Sequence, residues 1–264
     1  MPLPVEPHPT LAPFAPAATR SLRVFGADVE LVHVPARKAR QDRATAERPA
    51  FRRSPAGRIV DEEAFWRGRG CALTPNRYPF AAAQRLLWPL DRTRELRLEH
   101  WCLVLDWVRA VDGSAMVNNV GAAATIARAH AHLVPERLPF LRQLPERVCG
   151  LDLIDLPEGV TLFAKDVPFT LLGVRGDVTG IAEALVRLGE ARLTASWNVV
   201  AGADGAWVLP RRVETPAPFF PYALGAAELW GRWCYMDEAP FHSATAADLE
   251  QALVAAAMPP IATG

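Results

Sequence analysis

The sequence has only two lysines, Lys38 and Lys165, among its 29 basic residues, so almost all of its positive charge is arginine. Arginine favours bidentate contacts with phosphate or carboxylate, and a biased genomic composition is the alternative explanation. The 29 acidic residues leave no net charge, which excludes a strong general attraction to nucleic acid or to an anionic membrane. We therefore predict neither nucleic acid nor a membrane as a partner.

Long apolar runs are also missing, because none reaches the roughly 18 residues that a membrane helix needs. The chain does not begin with the basic and apolar blocks of a signal peptide. The four cysteines are far apart and form no C-x-x-C pair, which argues against a structural zinc site and a disulfide framework. We predict reduced thiols, no metal, no cofactor and a cytoplasmic location.

Strand-like segments are numerous and helical segments are few. Residues 21–35 predict a hairpin that turns at Gly26–Asp28, and residues 94–111 predict the best helix, because apolar side chains recur there with helical spacing. The predicted strands do not alternate regularly with helices, as they do in folds built from β-α-β units. The pattern therefore predicts an α+β fold with a mainly antiparallel sheet and flanking helices.

The order of the predicted elements also divides the chain. Residues 1–20 are rich in proline and predict a flexible N-terminal tail. Residues 21–145 and 146–264 contain predicted strands and helices in a similar order, so we interpret them as two pseudo-similar halves. In the second half, residues 226–236 predict a strand.

Two histidines, His130 and His132, stand at alternate positions of a predicted strand over 129–134, where they would share one face with Arg128. A loop of small residues that contains Asn119 and Gly121 precedes them, and small residues let backbone amides approach an anion. A neutral imidazole can attack phosphorus while arginine neutralises the phosphate oxygens. Two alternatives remain open: structural histidines on an edge strand, or a metal-binding pair that lacks a third ligand.

A family resemblance centres on the stretch N-N-V-G-A-A-A-T-I-A-R-A-H-A-H-L-V. It resembles the active-site segment of galactose-1-phosphate uridylyltransferase, in which Asn, Gly-Ala-Ala and then H-P-H-G-Q follow with the same Gly-to-His spacing. That enzyme belongs to the histidine-triad superfamily, as do the phosphorylases of diadenosine tetraphosphate and of GDP-L-galactose. Further segments resemble these proteins in the expected order, namely 47–51, 74–80, 196–200, 207–212 and 225–231.

The resemblance implies a histidine-triad-like fold and a nucleotidyltransferase or phosphorylase that forms a covalent nucleotidyl-histidine intermediate. By this resemblance His132 would attack the α-phosphate, and His130 would order the site. Asn119 and Gly121 would contact phosphate or ribose. The substrate would be a nucleoside diphosphate sugar or a dinucleoside polyphosphate, and the acceptor would be phosphate or a sugar phosphate. Family members are often dimers, so a homodimer agrees with the resemblance.

The remaining site residues follow from the same resemblance. Asn76 and Arg77 would lie near the nucleoside, and Arg128 would supply phosphate donors. Arg211 would reach the second substrate, and a solvated strand end is the alternative for this residue.

The sequence departs from the family at several places. Val134 stands where the family has a glutamine that holds a phosphate oxygen, and Ala127 replaces a polar residue; losing one such donor typically costs about 3 kcal/mol of transition-state stabilisation. The places of the family's zinc ligands read Ala50, Arg52-Arg53 and Asp91-Arg92, so zinc is not expected. The departures at Val134 and Ala127 support a second hypothesis, a non-catalytic or weakly hydrolytic nucleotide-binding protein of the same fold.

Overall fold

The computed structural model describes residues 2–38, 55–149 and 154–261. Segment 47–51, which takes part in the family resemblance, lies outside the described residues. So do Ala50 and Arg52-Arg53, which stand where the family has zinc ligands. The described chain forms a sheet of ten strands and a second sheet of three strands. In chain order the strands are β1 (Ala18–Val24), β2 (Ala27–His33), β3 (Trp66–Gly68), β4 (Cys71–Pro75), β5 (Arg85–Pro89), β6 (Ser114–Asn118), β7 (Ala131–Val134), β8 (Glu146–Val148), β9 (Thr161–Lys165), β10 (Leu172–Arg175), β11 (Trp197–Gly202), β12 (Gly205–Pro210) and β13 (Arg232–Tyr235).

Helices lie on both sides of the large sheet. None of those in the described ranges combines the length and the apolar composition needed to cross a membrane. In chain order the helices are α1 (Ala56–Glu63), α2 (Leu98–Val111), α3 (Phe140–Gln143), α4 (Val178–Glu190), α5 (Ala226–Trp230), α6 (Glu238–Ser243) and α7 (Ala246–Ala256).

The large sheet is built from two runs with the same internal order. From one edge it reads β3-β4-β5-β7-β6, and from the other β8-β9-β10-β12-β11, with every neighbouring pair antiparallel. The runs join at the centre, where Val117 of β6 pairs with Val199 of β11. In each run a long helix, α2 or α4, follows the third strand in sequence. The predicted α+β fold with two pseudo-similar halves is therefore confirmed, whereas the division into domains at residues 145 and 146 stays a prediction.

Each face of the large sheet packs against a different layer. On one face, apolar side chains such as Ala115 and Val117 pack with α2 and α4. On the other face, Met116 packs with the small sheet β1-β2-β13, in which β13 runs parallel to β2. Because successive side chains of a strand point to opposite faces, His132 of β7 faces the small sheet and Leu133 faces the helices.

The predicted strand over 226–236 is wrong in its first half. Residues Ala226–Trp230 form helix α5, and only Arg232–Tyr235 form a strand. The change occurs at Gly231, whose φ is +112°. Glycine adopts this conformation without the steric penalty of a side chain, so it ends the helix and lets the chain turn into β13.

The N-terminal segment is bound to the helix-covered face, although residues 1–20 predict a flexible tail. Leu3 is buried in the core beneath α2. The carbonyl of Pro4 accepts hydrogen bonds from the indole nitrogen of Trp107 at 3.0 Å and from Nη1 of the buried Arg85 at 2.9 Å. Proline lacks an N–H but keeps its carbonyl acceptor, so a proline-rich segment can accept from one nitrogen of a buried arginine.

A buried cation lies near the outer edge of the second run. Lys165 has an exposed fraction of 0%, and its Nζ donates to Glu146 Oε1 at 3.0 Å and to the carbonyl of Leu144 at 2.9 Å. Arg175 donates to both carboxylate oxygens of Glu146, at 2.8 and 2.5 Å. The hydrogen bond from Arg175, together with Lys165, lowers the pKa of the Glu146 carboxyl, although burial opposes this shift.

We expect Glu146→Gln to lower the free energy of unfolding at pH 7 by about 1 kcal/mol. A carboxyl with a lowered folded-state pKa stabilises the protein above its unfolded pKa, and this stabilisation is lost as the pH falls through the folded value. The variant should therefore lose less stability than the wild type when the pH is lowered below the ordinary glutamate pKa. Urea unfolding across this range tests the expectation, with the exposed Glu158→Gln as control. Equal pH dependence in all three proteins would contradict it.

Candidate functional site

A cavity of about 350 Å³ opens on the face of the large sheet that carries the small sheet. Its wall includes α1, the connection between β4 and β5, the loop after β6, helix α5 and strand β13. The charged, amide and imidazole side chains that line it are Arg37, Arg58, Glu63, Asn76, Arg77, Asn118, His130, His132 and Glu228.

The histidine pair lies on the wall of this cavity. Strand β7 inserts between β5 and β6, where His132 pairs with Leu86 and Met116. The strand begins at Ala131 rather than at 129, so His130 immediately precedes it. The exposed fractions of His130 and His132 are 6% and 9%, and their ring centroids are 5.2 Å apart. The two predicted catalytic side chains therefore line one cavity.

The environment of His130 determines which of its ring nitrogens carries the proton. Its ring stacks on Trp88 with a centroid distance of 4.6 Å. Its Nδ1 lies 2.9 Å from the carbonyl oxygen of Arg128. A carbonyl can only accept a hydrogen bond, so Nδ1 carries the hydrogen and, in the neutral ring, Nε2 carries the lone pair. This tautomer has the nucleophilic nitrogen on the edge of the ring away from the carbonyl.

His132 has the opposite arrangement. Its Nδ1 lies 2.8 Å from Nε2 of the buried Gln84, while Gln84 Oε1 accepts the backbone N–H of Phe80 at 2.8 Å. That second bond fixes the orientation of the amide, so Gln84 donates to Nδ1 and the neutral His132 carries its hydrogen on Nε2. No pattern in the sequence points to Gln84, which contacts His132 because β5 runs beside β7.

Three guanidinium groups line the same cavity. The buried Arg37 donates to the carbonyl of Tyr78 at 2.5 Å. Arg77 makes an ion pair of 2.7 Å with Glu63, and Arg58 is exposed on α1. This cationic lining suits phosphate groups, which guanidinium binds with a fixed fork of donors. No sequence pattern points to Arg37 or Arg58, because their segment shows no periodicity.

The structure also brings Asn76 and Arg77 to the cavity, whereas their place near a nucleoside stays a prediction. Both follow β4, in a turn where Asn76 Oδ1 accepts the N–H of Tyr78 at 3.1 Å. An asparagine that bonds the backbone two residues ahead stabilises such a turn. The turn thus holds the neighbouring Arg77 on the wall of the cavity that the histidine pair also lines.

The loop of small residues does not form an anion cradle. Asn119 and Gly121 do not line this cavity, and Asn119 Oδ1 accepts the N–H of Trp197 at 2.8 Å. The backbone amides of this loop already have acceptors. Those of Ala122 and Ala124 donate to the Asn119 carbonyl, and that of Ala123 donates to Glu214 Oε1 at 2.7 Å. The carboxylate of Glu214, remote in sequence, thus occupies the place expected for a phosphate.

Arg128 also lies away from the cavity. It is buried, and its guanidinium donates to the carbonyl of Pro89. Since β7 begins at Ala131, the alternation of a strand does not extend back to Arg128, and its side chain does not share the face of the histidines. Val134 shares the face of His132 but is buried in the core without lining the cavity.

Arg211 is neither at the cavity nor solvated. Its exposed fraction is 3%, and burial lowers its pKa to about 10. The guanidinium donates to Asn198 Oδ1 and the Leu224 carbonyl, both at 2.5 Å, and its other nitrogens bond the carbonyls of Val213 at 2.7 Å and Ala256 at 3.2 Å. Both sequence expectations for this residue are therefore wrong: it joins three chain segments inside the protein.

Arg211 supports the cavity wall indirectly, through a chain of hydrogen bonds. Asn198, which accepts from Arg211, donates through Nδ2 to Asn118 Oδ1 at 2.7 Å. The same oxygen accepts the N–H of Ala226 at 2.7 Å, at the start of α5. Asn118 lines the cavity, so the buried network fixes the junction between β6 and α5 that forms one side of it.

In the part of the chain that the structure describes, one group of three side chains has the spacing of a metal site: Asp91, Glu99 and His100. Nδ1 of His100 accepts the N–H of Arg97 at 3.1 Å. A neutral histidine that binds metal through Nε2 carries its hydrogen on Nδ1. Nδ1 of His100 cannot carry a hydrogen, because it accepts the backbone N–H of Arg97. His100 is therefore unsuited to be the third ligand.

Comparison with known proteins identifies the fold. No family model and no curated protein matches the sequence. Yeast Ap4A phosphorylase Apa2 in complex with Ap4A superposes with a TM-score of 0.69, over 96% of this chain and 93% of that chain, at 16% identity. The yeast enzyme in complex with AMP gives a TM-score of 0.67, over 95% and 91% of the two chains, also at 16% identity. The chain therefore shares its fold with this yeast phosphorylase, a kind of protein that the resemblance named.

Proposed function

We propose that the protein is a nucleotidyltransferase or phosphorylase that acts on a nucleoside diphosphate sugar or a dinucleoside polyphosphate. The observation that carries the proposal is the histidine pair, whose two rings have complementary tautomers on the wall of a cavity lined by three guanidinium groups. The shared fold with a yeast enzyme solved with Ap4A and with AMP supports a nucleotide as substrate.

Hydrogen bonding favours His130 as the nucleophile, whereas the family resemblance favours His132. The Arg128 carbonyl keeps the hydrogen of His130 on Nδ1, so Nε2 can attack phosphorus without first losing a proton. His132 carries its hydrogen on Nε2 because Gln84 donates to its Nδ1, which makes it a donor to a phosphate oxygen. In this assignment both predicted histidines act directly on the substrate.

The first step transfers the nucleotidyl group to the protein. Nε2 of His130 forms a bond to the α-phosphorus, and the bond from this phosphorus to the bridging oxygen of the leaving group breaks, so that the leaving group departs with the electron pair. The imidazole becomes positively charged in the adduct, and the carbonyl of Arg128 stabilises this charge by accepting from Nδ1–H. His132 stabilises the negative charge of the phosphoryl oxygens during the transfer.

The second step regenerates the histidine. An oxygen of inorganic phosphate or of a sugar phosphate attacks the α-phosphorus, and the bond to Nε2 breaks with its electron pair returning to nitrogen. The guanidinium groups of Arg37, Arg58 and Arg77 would hold the anionic substrate and acceptor. Apolar residues that line the same cavity, including Ile59 and Trp88, would pack against the nucleoside.

Covalent labelling tests this function against the non-catalytic alternative. We expect the wild-type protein to acquire acid-labile, alkali-stable label from Ap4A, UDP-glucose or GDP-glucose carrying ³²P at the α-phosphate, and to lose it when phosphate is added. Thermal shift with the same unlabelled compounds measures binding independently, because a ligand at 100 times its dissociation constant adds about 2.7 kcal/mol of stability. Binding without label in the wild type would overturn the proposed activity and favour a nucleotide-binding protein.

A further inference from the structure

A second cavity, of about 400 Å³, lies on the face of the large sheet that carries α2 and α4. It is bounded by the segment before α2, by the end of α4 and by the central strands β6, β11 and β12. The sheet separates it from the histidine pair, and Asn118 lines both cavities. Nothing in the proposed reaction uses this second space.

The floor of the second cavity is apolar. Its apolar lining residues are buried in the core between the sheet and helices α2 and α4, and they include Trp101, Leu185, Leu188, Val199 and Val208. Such a surface gains free energy when an apolar molecule displaces water from it. The floor therefore suits the body of an apolar ligand.

The mouth of this cavity is polar and carries more positive than negative side chains. Arg94, Arg97 and Arg192 lie there with Glu95 and Glu190. Arg192 Nη1 is 2.9 Å from Glu95 Oε1, and its guanidinium is 5.7 Å from the ring centroid of Trp197. A guanidinium beside an indole can bind the acidic group of an aromatic ligand, in competition with the intramolecular carboxylate.

A glycine in helix α4 gives an independent indication that this space is kept open. Gly189 lies on the cavity wall, where a Cβ would meet Trp197 Cζ2 at 3.6 Å, which is ordinary contact. The other glycine of helix α4, Gly180, is required by packing, because a Cβ at this position would approach Val160 Cγ2 to 2.6 Å. Alanine is the better helix former, so glycine at 189 weakens the helix and leaves the cavity free of a side chain.

We propose that the second cavity binds a flat apolar molecule that carries one negative charge. Its ring system would rest on the floor between Trp101 and Leu188, and its acidic group would meet Arg192 at the mouth. The proposal does not depend on the proposed reaction, because its measurement is binding rather than turnover.

We test this with 1-anilinonaphthalene-8-sulfonate, a flat apolar anion, by fluorescence titration of the full chain. Wild-type protein is expected to bind it saturably, and Gly189→Phe, which fills the mouth, should weaken binding by at least about tenfold. The matched control Gly189→Ala should bind within about threefold of the wild type and raise Tm by about 2–4 °C. If Gly189→Phe does not fold, Val186→Phe narrows the same mouth and is judged by the same criterion.

The charge is tested separately. Arg192→Gln should weaken binding of the sulfonate but leave binding of uncharged N-phenyl-1-naphthylamine unchanged. Equal sulfonate affinity in wild type and in a folded Gly189→Phe variant would overturn the site. Equal loss of both dyes in Arg192→Gln would overturn the assignment of a negative charge to the ligand.

Discussion

Replacing His130 by alanine should abolish the covalent nucleotidyl-protein and lower kcat/KM by about 10⁴-fold or more, as removal of an enzymatic nucleophile does. The reason lies in the tautomer, because the Arg128 carbonyl keeps the lone pair of His130 on Nε2. Single-turnover labelling with α-³²P substrate and steady-state kinetics measure the two effects. Circular dichroism and thermal unfolding of the variant confirm that the loss is chemical rather than a loss of folding.

His132 should behave differently from its neighbour. His132→Ala removes a donor to the phosphate oxygens, so we expect kcat to fall by about 10²–10³-fold while the protein still acquires label. His132→Gln restores an amide donor and should recover part of this loss. The opposite pattern, with label kept in His130→Ala and absent from both His132 variants, would return the nucleophile to His132.

The second large effect concerns stability rather than chemistry. Arg211→Met should lower the free energy of unfolding by about 3–5 kcal/mol, because it removes a buried cation and leaves its acceptors without a donor. These acceptors include Asn198 Oδ1 and the Leu224 carbonyl, which lie in different chain segments. Urea unfolding at pH 7, monitored by circular dichroism, measures the change.

The neighbouring Arg212 provides the matched control. It carries the same charge and is exposed, so Arg212→Met should change the free energy of unfolding by no more than about 0.5 kcal/mol. Arg211→Lys separates charge from geometry, since lysine keeps the charge without the planar fork and should remain strongly destabilised. Equal stability of the Arg211 and Arg212 variants would contradict the role of the buried network.

Much of the fold could be predicted from local pattern. The predicted helix over 94–111 overlaps α2, and the hairpin predicted over 21–35 is formed by β1 and β2. The failures arise where tertiary contacts override pattern. Residues 226–230 form a helix in the core, and residues near Pro4 are held by side chains far along the chain.

The site could be predicted only in part, for a related reason. His130 and His132 stand two residues apart, so their spacing in the sequence was enough to identify them as site candidates. The functional assignment of Arg211 failed because its acceptors come from three distant segments. Gln84 was missed because a strand pairing, β5 with β7, brings it to the histidine, and no spacing in the sequence encodes that pairing.

The mirrored order of the large sheet has a consequence for stoichiometry. Strand β12 occupies in the second run the place that β7 occupies in the first, yet its sequence, G-A-W-V-L-P, contains no histidine. Of the two equivalent strands, only β7 contains a histidine or directly follows one, so the proposed adduct would amount to one nucleotide per polypeptide. In the proposed reaction the second run would take no chemical part, and it supports the cavity wall through the pairing of β11 with β6 and the hydrogen bond from Asn198 to Asn118.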